Sequence, residues 1–424
     1  MRVHVVDPSA YTSPYDHALC RALAAAGAEV TLFTSRFAYG PVAPADGYER
    51  RELFYRAALG ARGRSTAPGH TFRRSRSEPV VSRRVRSAIK LAEHVPDMLR
   101  YRRAARGAEV VHFQWLPVQH LDRYLLPANR SAAGARRPLV LTAHDILPRE
   151  PRRGQLAAQR RLYGRVDAVV VHSRCGRDRL LGLGVAPERV HVIAHGVLRP
   201  WADAPAPDSR GGELRLPPEL PQDSEGPVAL FFGLLRPYKG LGELLEAWLQ
   251  TGAELPAGAE LWIVGMPRMD LGALRAAARG AGGTAPGGTA PGGVGRRGAG
   301  RVRLLERFVT DHELHALMLR ADLVVLPYRE IDQSGVAFTA LGAGVPLLLS
   351  DVGGFPEIAA TGAARTFPAG DMPALRDALR ELLGDPATLS AMAQRARAAA
   401  DGPYAWEGIA ARTLDLYRSL AATP

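Results

Sequence analysis

Two cations occupy the loop between an apolar run and a helical pattern in the stretch VALFFGLLRPYKGLGELLEAW, residues 228–248. Gly233 stands where the apolar run ends. Gly240 precedes leucines and a tryptophan spaced three to four residues apart, a spacing that predicts an amphipathic helix. A loop at the carboxyl end of a buried strand would project Arg236 and Lys239 together. A guanidinium and an ammonium so placed can bind an anion such as a diphosphate.

A second candidate anion site follows the apolar run ADLVVLPY, residues 321–328. The polar residues 329–334 precede a helical pattern that begins near Gly335. Backbone N–H groups of Ser334, Gly335 and Val336 would point from this helix N-terminus at an anion, which the helix dipole also favours. Ser334 could equally be a simple helix cap. Two such sites in one half of the chain favour a phosphate-bearing ligand.

The elements that would position these residues alternate between strands and helices along the chain. Apolar runs such as RVHVV, AEVVHFQW, PLVLTAHD and VPLLLSD each end in a polar residue or a turn. Near-continuous apolar strands separated by helices predict parallel sheets buried on both faces. We therefore expect two open α/β domains joined by a linker, with ligands bound beyond the carboxyl ends of the strands and the interdomain cleft as the first place to look.

The domain boundaries are predicted from a stretch dense in Pro, Gly, Asp and Ser. We expect an N-terminal domain over 1–197, a linker over 198–226 and a C-terminal domain over 227–401. Residues 402–424 include YAWEGIAARTLDLY, which resembles the final helix of a known family and by that resemblance implies a helix packing back toward the N-terminal domain. Residues 279–300 contain a GGTAP repeat and almost nothing that could be buried, so they are predicted to be a disordered surface loop without a catalytic role.

The composition excludes several classes of protein. A chain of 424 residues has the length of two or three typical domains. The only cysteines, Cys20 and Cys175, support neither a disulfide framework nor a metal-ligand pair. Neither a signal-peptide core nor a run of about 18 apolar residues is present. A cytoplasmic protein is therefore the expectation.

Most of the net charge of +13 lies in a basic segment, residues 50–106, which holds 16 Lys+Arg and four acidic residues. Each cation near anionic lipid would stabilise binding by roughly 1 kcal/mol. The segment could therefore dock on the inner membrane face or on a phosphate-bearing acceptor, and a solvated charged insertion explains it equally well. Nucleic-acid binding is disfavoured, because the segment has few aromatic residues and no nucleic-acid-binding motif.

Together these motifs resemble the retaining glycosyltransferases of family 4, which have two facing Rossmann-like domains in the arrangement called GT-B. FFGLLRPYKGLGELLEAW, ADLVVLPY and GVPLLLSDVGGFPEI match the donor-binding half of that family, and AHDILP, VVVHS and HVIAHGV match its front half. The resemblance implies transfer from a nucleotide diphosphate sugar to a hydroxyl acceptor, with retention and without a metal or other cofactor. The acceptor could be a glycan, a lipid-linked precursor or a small molecule. A nucleotide-sugar epimerase of the same architecture is the alternative.

The resemblance also implies roles for individual residues. Arg236 and Lys239 match the pair that stabilises the departing diphosphate, beside Gly233. His144 matches a histidine that lies against the donor sugar, although a lone histidine at a strand end more often has a structural role. The segment whose backbone contacts the base matches Arg307, Phe308 and Val309.

Two loops depart from the family pattern. Where relatives carry two glutamates eight residues apart, this chain has Ile331 and Thr339. Thr339 is the candidate for the ribose, and the candidates for the sugar are Glu330, Asp332 and Gln333. Where many relatives have paired glycines after the first strand, the candidates for contact with acceptor are Ser13, Tyr15, Asp16 and His17. Asp16 could instead cap the helix that follows.

Overall fold

The computed structural model describes residues 1–37, 42–59, 83–130, 136–148, 153–202, 214–280 and 300–422. The chain divides into two compact units. Unit 1 contains Met1–Gly196 and Trp406–Pro424, and unit 2 contains Val197–Ala204 and Gly212–Ala405. Each unit is a parallel sheet with helices in its connections, so the predicted α/β class with two Rossmann-like domains is confirmed.

Unit 1 has a sheet of seven parallel strands in the order β3-β2-β1-β4-β5-β6-β7. Its strands are β1 (Arg2–Asp7), β2 (Glu29–Ser35), β3 (Glu49–Phe54), β4 (Val110–Phe113), β5 (Leu139–Thr142), β6 (Ala168–Val171) and β7 (Val190–Val192). Its helices are α1 (Ser13–Ala25), α2 (Arg83–Ala104), α3 (Gln119–Leu125), α4 (Gln155–Tyr163), α5 (Arg174–Gly182) and α13 (Trp406–Ala422).

Unit 2 has a sheet of six parallel strands in the order β10-β9-β8-β11-β12-β13. Its strands are β8 (Val228–Phe232), β9 (Glu260–Val264), β10 (Arg301–Leu305), β11 (Leu323–Leu326), β12 (Leu347–Ser350) and β13 (Ala364–Phe367). Its helices are α6 (Leu241–Thr251), α7 (Gly272–Gly280), α8 (Asp311–Arg320), α9 (Gly335–Ala343), α10 (Phe355–Ala359), α11 (Met372–Gly384) and α12 (Pro386–Asp401).

Burial of the central strands explains their composition. Every residue of β4, β5, β6, β11 and β12 is buried, as expected for strands covered by helices on both faces. In each sheet the strand order reverses once, between β1 and β4 in unit 1 and between β8 and β11 in unit 2. At such a reversal the connections on the two sides run in opposite directions, which opens a crevice at the carboxyl edge of the sheet.

Part of the basic segment belongs to the core of unit 1, which corrects its interpretation as a solvated insertion. Its first residues form β3, which pairs with β2. Helix α2 buries Met98 and Tyr101 against the sheet, and His94 Nε2 lies 2.6 Å from Asp122 Oδ1 of α3. The segment therefore supplies both a strand and a covering helix. Arg73, Arg74 and Arg76 lie outside the described residues.

The described residues of the predicted linker pack on unit 2. The Trp201 ring stacks on His315 of α8, with centroids 4.9 Å apart and an interplanar angle of 4°. Leu220 is buried, and Glu219 forms an ion pair with Arg307. These contacts hold the ends of the stretch, on either side of 203–213, against unit 2. The GGTAP repeat lies outside the described residues.

Candidate active site

In unit 2 the loops after β8 and β11 meet at the point where the strand order reverses. A Cβ atom placed on Gly233, which has φ +116°, would lie 3.0 Å from Val336 Cγ2 and 3.2 Å from Lys239 Nζ. The end of β8, the side chain of Lys239 and the first turn of α9 therefore lie next to one another. The two candidate anion sites predicted from the sequence form one site.

Lys239 is the more enclosed of the two cations. Its side chain is 6% exposed, and Nζ lies 4.9 Å from the centroid of the Tyr328 ring and 5.9 Å from that of Phe231. Aromatic faces stabilise an ammonium that has lost part of its hydration. Arg236 is half-buried, and among the described residues no carboxylate lies within ion-pair distance of its guanidinium. The pair thus concentrates positive charge in one loop.

Close backbone contacts fix the shape of this loop. Gly240 has φ +66°, and a Cβ atom there would lie 1.9 Å from the Pro327 carbonyl oxygen. The Arg329 N–H donates to the Tyr238 carbonyl oxygen at 2.8 Å. Arg329 Nε also donates to Glu243 at 2.6 Å. The loop that carries the cations is therefore joined directly to the loop that follows β11.

The loop from Glu330 to Ser334 has exposed and buried members. Glu330 is exposed, Gln333 is half-buried, and Asp332 and Ser334 are buried. Gln333 Oε1 accepts from the Ser334 N–H at 3.2 Å, so this N–H already has a partner. The Ser334 side chain does not cap α9. The N–H groups of Gly335 and Val336 are the ones that complete the N-terminus of α9 beside Lys239.

The remaining candidates in unit 2 are Thr339, within α9, and residues 307–309, which follow β10. Thr339 is 5% exposed, and its hydroxyl donates to the Gly335 carbonyl oxygen at 2.9 Å within α9. The segment after β10, two strands from β8, holds the Arg307 guanidinium between Glu219 and Glu313. Phe308 is 41% exposed and Val309 is half-buried. The Arg307 side chain therefore connects Glu219 of the linker region to Glu313 of α8.

In unit 1 the ends of four strands bring imidazoles and an amide together. Gln114 follows β4, His144 follows β5, His172 follows β6 and His195 follows β7, and all four are buried. The imidazole of His144 stacks on the Trp115 indole at an interplanar angle of 16°. Of these four residues, only His144 was predicted from the sequence. The signal for the other two histidines was that the stretches TAHD, VVVHS and VIAHG each place a histidine directly after apolar residues.

The polar side chains of this cluster form a continuous hydrogen-bonded chain. His172 Nδ1 lies 3.0 Å from the Ile193 carbonyl oxygen, and His172 Nε2 lies 3.2 Å from His144 Nδ1. His144 Nε2 lies 3.1 Å from the Gln114 side-chain oxygen Oε1. Burial lowers the pKa of His172 to about 4, and burial with neighbouring imidazoles lowers the pKa of His144 well below its usual value. Both rings are therefore neutral at pH 7.

Neutral rings fix the direction of every hydrogen bond in the chain. The Ile193 carbonyl oxygen can only accept, so His172 carries its proton on Nδ1 and accepts on Nε2. His144 then donates from Nδ1, which leaves its Nε2 as an acceptor. The chain is complete when the Gln114 amide is turned by 180°, so that its nitrogen instead of Oε1 faces His144, and in the present orientation that nitrogen is buried without a partner among the described residues. His144 is held as one tautomer.

Tyr15 lies at the centre of this cluster. Its ring contacts His144, His172 and His195 at centroid distances of 4.8 Å, 5.4 Å and 4.8 Å. On another side it meets Trp406 of α13 at 5.1 Å. A Cβ atom on Gly196 would lie 2.3 Å from the Trp406 ring, so only glycine fits there. Tyr15 is 3% exposed and therefore supports the histidines from within unit 1.

The other candidates in the loop after β1 have structural partners. Asp16 is 1% exposed and accepts from the Thr12 hydroxyl, beside the buried Asp7, whose carboxylate accepts three backbone N–H groups. Burial and the Asp7 charge raise the pKa of Asp16 well above its usual value. His17 Nδ1 pairs with the Tyr48 hydroxyl at 2.9 Å. Ser13 is half-buried and is the most accessible of the four.

Metal-ligand clusters and membrane-spanning helices are both absent from the described residues. No group of three or more His, Cys, Asp and Glu side chains in the described part of the chain is arranged to hold a metal ion. Within the same residues, none of the helices combines the length and apolarity required to cross a bilayer.

Comparison with known proteins assigns both halves of the chain. Residues 12–196 match the family described as "Glycosyl transferase 4-like domain", and residues 226–385 match "Glycosyl transferases group 1". The chain is similar to alpha-maltose-1-phosphate synthase of Mycobacterium tuberculosis, at 27% identity over 75% of this chain and 81% of the relative. It is also similar to D-inositol 3-phosphate glycosyltransferase 1 of Catenulispora acidiphila, at 30% identity over 66% of each.

Solved structures share the fold at low sequence identity. A sucrose-phosphate synthase of Thermosynechococcus elongatus matches with a TM-score of 0.64 and 19% identity over 100% of both chains. An Anabaena protein solved in complex with UDP-glucose matches with a TM-score of 0.64 and 16% identity, over 99% of this chain and 100% of that one. The matched families and curated relatives favour a transferase over the epimerase alternative. The chain belongs to the family 4-like, group 1 glycosyltransferases and is a glycosyltransferase of the GT-B fold.

Proposed function

We propose that this glycosyltransferase moves a sugar from a nucleotide diphosphate sugar to a hydroxyl acceptor, with retention of configuration and without a metal. The observation that carries the proposal is the convergence in unit 2 of Lys239 Nζ, Gly233 and the N-terminus of α9 within a few ångströms. Gly233 leaves room for a diphosphate to approach the backbone, and the lysine and the helix N-terminus both favour its negative charge.

The reaction needs that charge when the leaving group departs. The bond between the anomeric carbon and the phosphate oxygen breaks, and the acceptor oxygen bonds to the same face of that carbon. The acceptor proton passes to the leaving phosphate, so that no separate protein base is required. Arg236 and Lys239 would stabilise the charge that develops on the diphosphate, in the place where other enzymes use a divalent cation.

The remaining candidates would surround the donor. We propose that neutral His144 contacts the sugar as a hydrogen-bonding group of fixed tautomer, and that Glu330, Asp332 or Gln333 contact it from unit 2. The backbone of Arg307, Phe308 and Val309 would contact the base, and Thr339 the ribose. Uridine is the first base to test, because one structural neighbour was solved with UDP-glucose.

For the acceptor, Ser13 is the candidate with an accessible side chain. Tyr15, Asp16 and His17 would shape the acceptor site from beneath, because their side chains are buried. A glycan, a lipid-linked precursor and a small molecule all present the hydroxyl that the reaction requires.

The test begins with ligand binding to the full chain. A thermal-shift screen against UDP, GDP, ADP and TDP and their sugar conjugates, each with EDTA or with magnesium, should give a metal-independent stabilisation by one nucleotide family. The chain offers a matched pair of variants, because Lys90 and Lys239 are its only lysines and each places Nζ about 5 Å from a tyrosine ring. Lys239→Ala should abolish the shift and lower turnover about 100-fold. Lys90→Ala should change neither.

Two results would contradict the proposal. Unchanged turnover in the double variant Arg236→Ala/Lys239→Ala, measured with the donor found in the screen, would show that these cations do not stabilise the leaving group. An NMR spectrum of the freshly formed product that shows inversion at the anomeric carbon would exclude the same-face reaction.

We also propose peripheral attachment to an anionic membrane through α2. Leu91, Val95 and Leu99 are 53%, 36% and 40% exposed and follow one another at a spacing of four residues along α2, which places them on one face of the helix. Arg103 continues this face at the C-terminal end of the helix and is exposed. An apolar stripe flanked by cations matches the interface of a bilayer with anionic headgroups.

Vesicle sedimentation tests the attachment. The chain should sediment with phosphatidylglycerol-containing vesicles and not with phosphatidylcholine alone, and Leu91→Gln/Val95→Gln should release it. The control Leu156→Gln/Leu319→Gln changes two other exposed leucines, which are 40% and 65% exposed. Equal release by both pairs, or no sedimentation at all, would refute attachment through α2.

A further inference from the structure

A second charged cavity lies at the amino-terminal edge of the sheet in unit 1. Its volume is about 510 Å³, and its lining includes Leu139 at the start of β5, Asp167 just before β6 and Arg189 just before β7. His144 lies beyond the opposite, carboxyl-terminal end of β5. The cavity is therefore separate from the histidine cluster, and the candidate diphosphate site belongs to unit 2.

Arginine dominates the chemistry of this cavity. Its described lining contains Arg102 from α2, Arg123 from α3, Arg165 from the connection before β6, and Arg189. The one carboxylate in that lining, Asp167, already accepts from Arg136 at 3.0 Å and from the Leu139 N–H at 2.8 Å. The Asp167 carboxylate thus already has partners at the start of β5, and four arginines line the cavity with this one acidic residue among them.

Several of these guanidinium groups have donors to spare. Among the described residues, no carboxylate lies within ion-pair distance of Arg102 or Arg165. Arg123 lies over the Tyr124 ring at 4.4 Å, and its buried Nε has no hydrogen-bond partner in the described part of the chain. Arg189 Nη1 donates to the Gly164 and Val166 carbonyl oxygens at 3.1 Å and 3.4 Å. A buried donor without a partner is costly unless a ligand supplies an acceptor.

We propose that this cavity binds the phosphate group of a small molecule. Planar guanidinium groups present paired N–H donors that match phosphate oxygens, and several of them around one cavity favour a ligand with more than one negative charge. The volume exceeds what a single phosphate needs and lies in the range of small-molecule sites. The ligand class is therefore a phosphate ester or a polyphosphate.

Calorimetric titration of the full chain with inorganic pyrophosphate tests the site. The titration is done in the Arg236→Ala/Lys239→Ala background, so that the candidate donor site does not contribute. One binding event should persist there, and Arg123→Gln/Arg165→Gln should weaken it at least about tenfold, because each charged hydrogen bond stabilises a complex by that order. Arg123→Lys/Arg165→Lys should weaken it too, since an ammonium keeps the charge but loses the paired donors.

The matched control is Arg177→Gln/Arg418→Gln, which removes two exposed arginines from elsewhere in unit 1. This control should leave the affinity unchanged. An equal loss in the control would show that pyrophosphate responds only to net charge, and absence of any binding event in the background variant would overturn the proposal. Both outcomes are independent of whether the donor site in unit 2 functions as proposed.

Discussion

Replacement of Gln114 by glutamate tests the direction of the hydrogen bonds that hold His144. A glutamate carboxylate cannot donate to His144 Nε2, so the imidazole must present a proton there. If both rings stayed neutral, the whole chain would reverse and a His172 lone pair would face the Ile193 carbonyl oxygen, at a cost of about 1–3 kcal/mol. The alternative is that His144 takes up a second proton and becomes an imidazolium paired with the new carboxylate.

The pH dependence of stability distinguishes these states. In the wild type, burial keeps the pKa of His144 well below its usual value, so the folded protein binds no proton there near neutral pH. A carboxylate beside the ring raises that pKa, so folded Gln114→Glu binds a proton that the folded wild type does not. The destabilisation caused by the substitution should therefore shrink by about 1.4 kcal/mol per pH unit as the pH falls through the window where only the variant is protonated.

Urea unfolding of wild type, Gln114→Glu and Gln114→Met at several pH values measures this effect. Methionine removes the amide donor without adding charge, so its destabilisation should stay constant with pH. Nitrogen-15 NMR of the histidines gives the tautomers directly. The reasoning fails if wild-type His144 carries its proton on Nε2, or if the glutamate and methionine variants show parallel pH profiles.

Three further predictions follow from burial and backbone geometry. Because burial lowers the pKa of His172 from 6.5 to about 4, this group should cost about 3 kcal/mol of stability as the pH falls across that interval, and His172→Gln should unfold in urea with a correspondingly weaker pH dependence. The pKa of Asp16 is raised instead of lowered, so its effect on stability depends on pH in the opposite direction. Its stabilisation of the fold is lost as the pH rises from the pKa of the unfolded state toward that of the folded state. Asp16→Asn should therefore stabilise the protein near pH 7 in urea unfolding, whereas the exposed Asp46→Asn should not. Gly240→Ala should lower the melting temperature and abolish nucleotide binding, because its Cβ meets a carbonyl oxygen at 1.9 Å; Gly242→Ala, with nothing within 4 Å, should do neither.

Hydrophobic pattern was sufficient to predict the parallel strands of both sheets but not two of their edge strands. Strand β3 has the sequence ERRELF and β13 has the sequence ARTF. Both lie at a sheet edge, where one side of the strand is open and charged side chains are tolerated. Their apolar content is too low to distinguish them from loops, and pairing with β2 and β12 decides their conformation. Local pattern therefore predicted the buried strands and the edge strands β7 and β10, and missed the edge strands β3 and β13.

Spacing along the chain predicted contacts within one loop better than contacts between loops. Arg236 and Lys239 could be paired because they share a loop, and Ser334, Gly335 and Val336 because they share a helix start. That the two groups meet at Gly233 depends on β8 and β11 being neighbours, which no local pattern contains. The same holds for the histidine cluster, in which four strand ends contribute one side chain each.

The distribution of charge shows most clearly why sequence position and spatial position must be distinguished. Counted along the chain, the positive excess belongs to residues 50–106, and the remaining residues are nearly neutral. Yet only Arg102 of the four cavity arginines comes from that segment, while Arg123, Arg165 and Arg189 lie within residues 107–199, which hold 15 arginines and seven acidic residues. The fold gathers them because the connections before β6 and β7 end at the same edge of the sheet, close to the C-terminal end of α2. A concentrated positive field can therefore arise from arginines that are well separated along the sequence, and the cation-rich segment itself is partly used to cover the sheet.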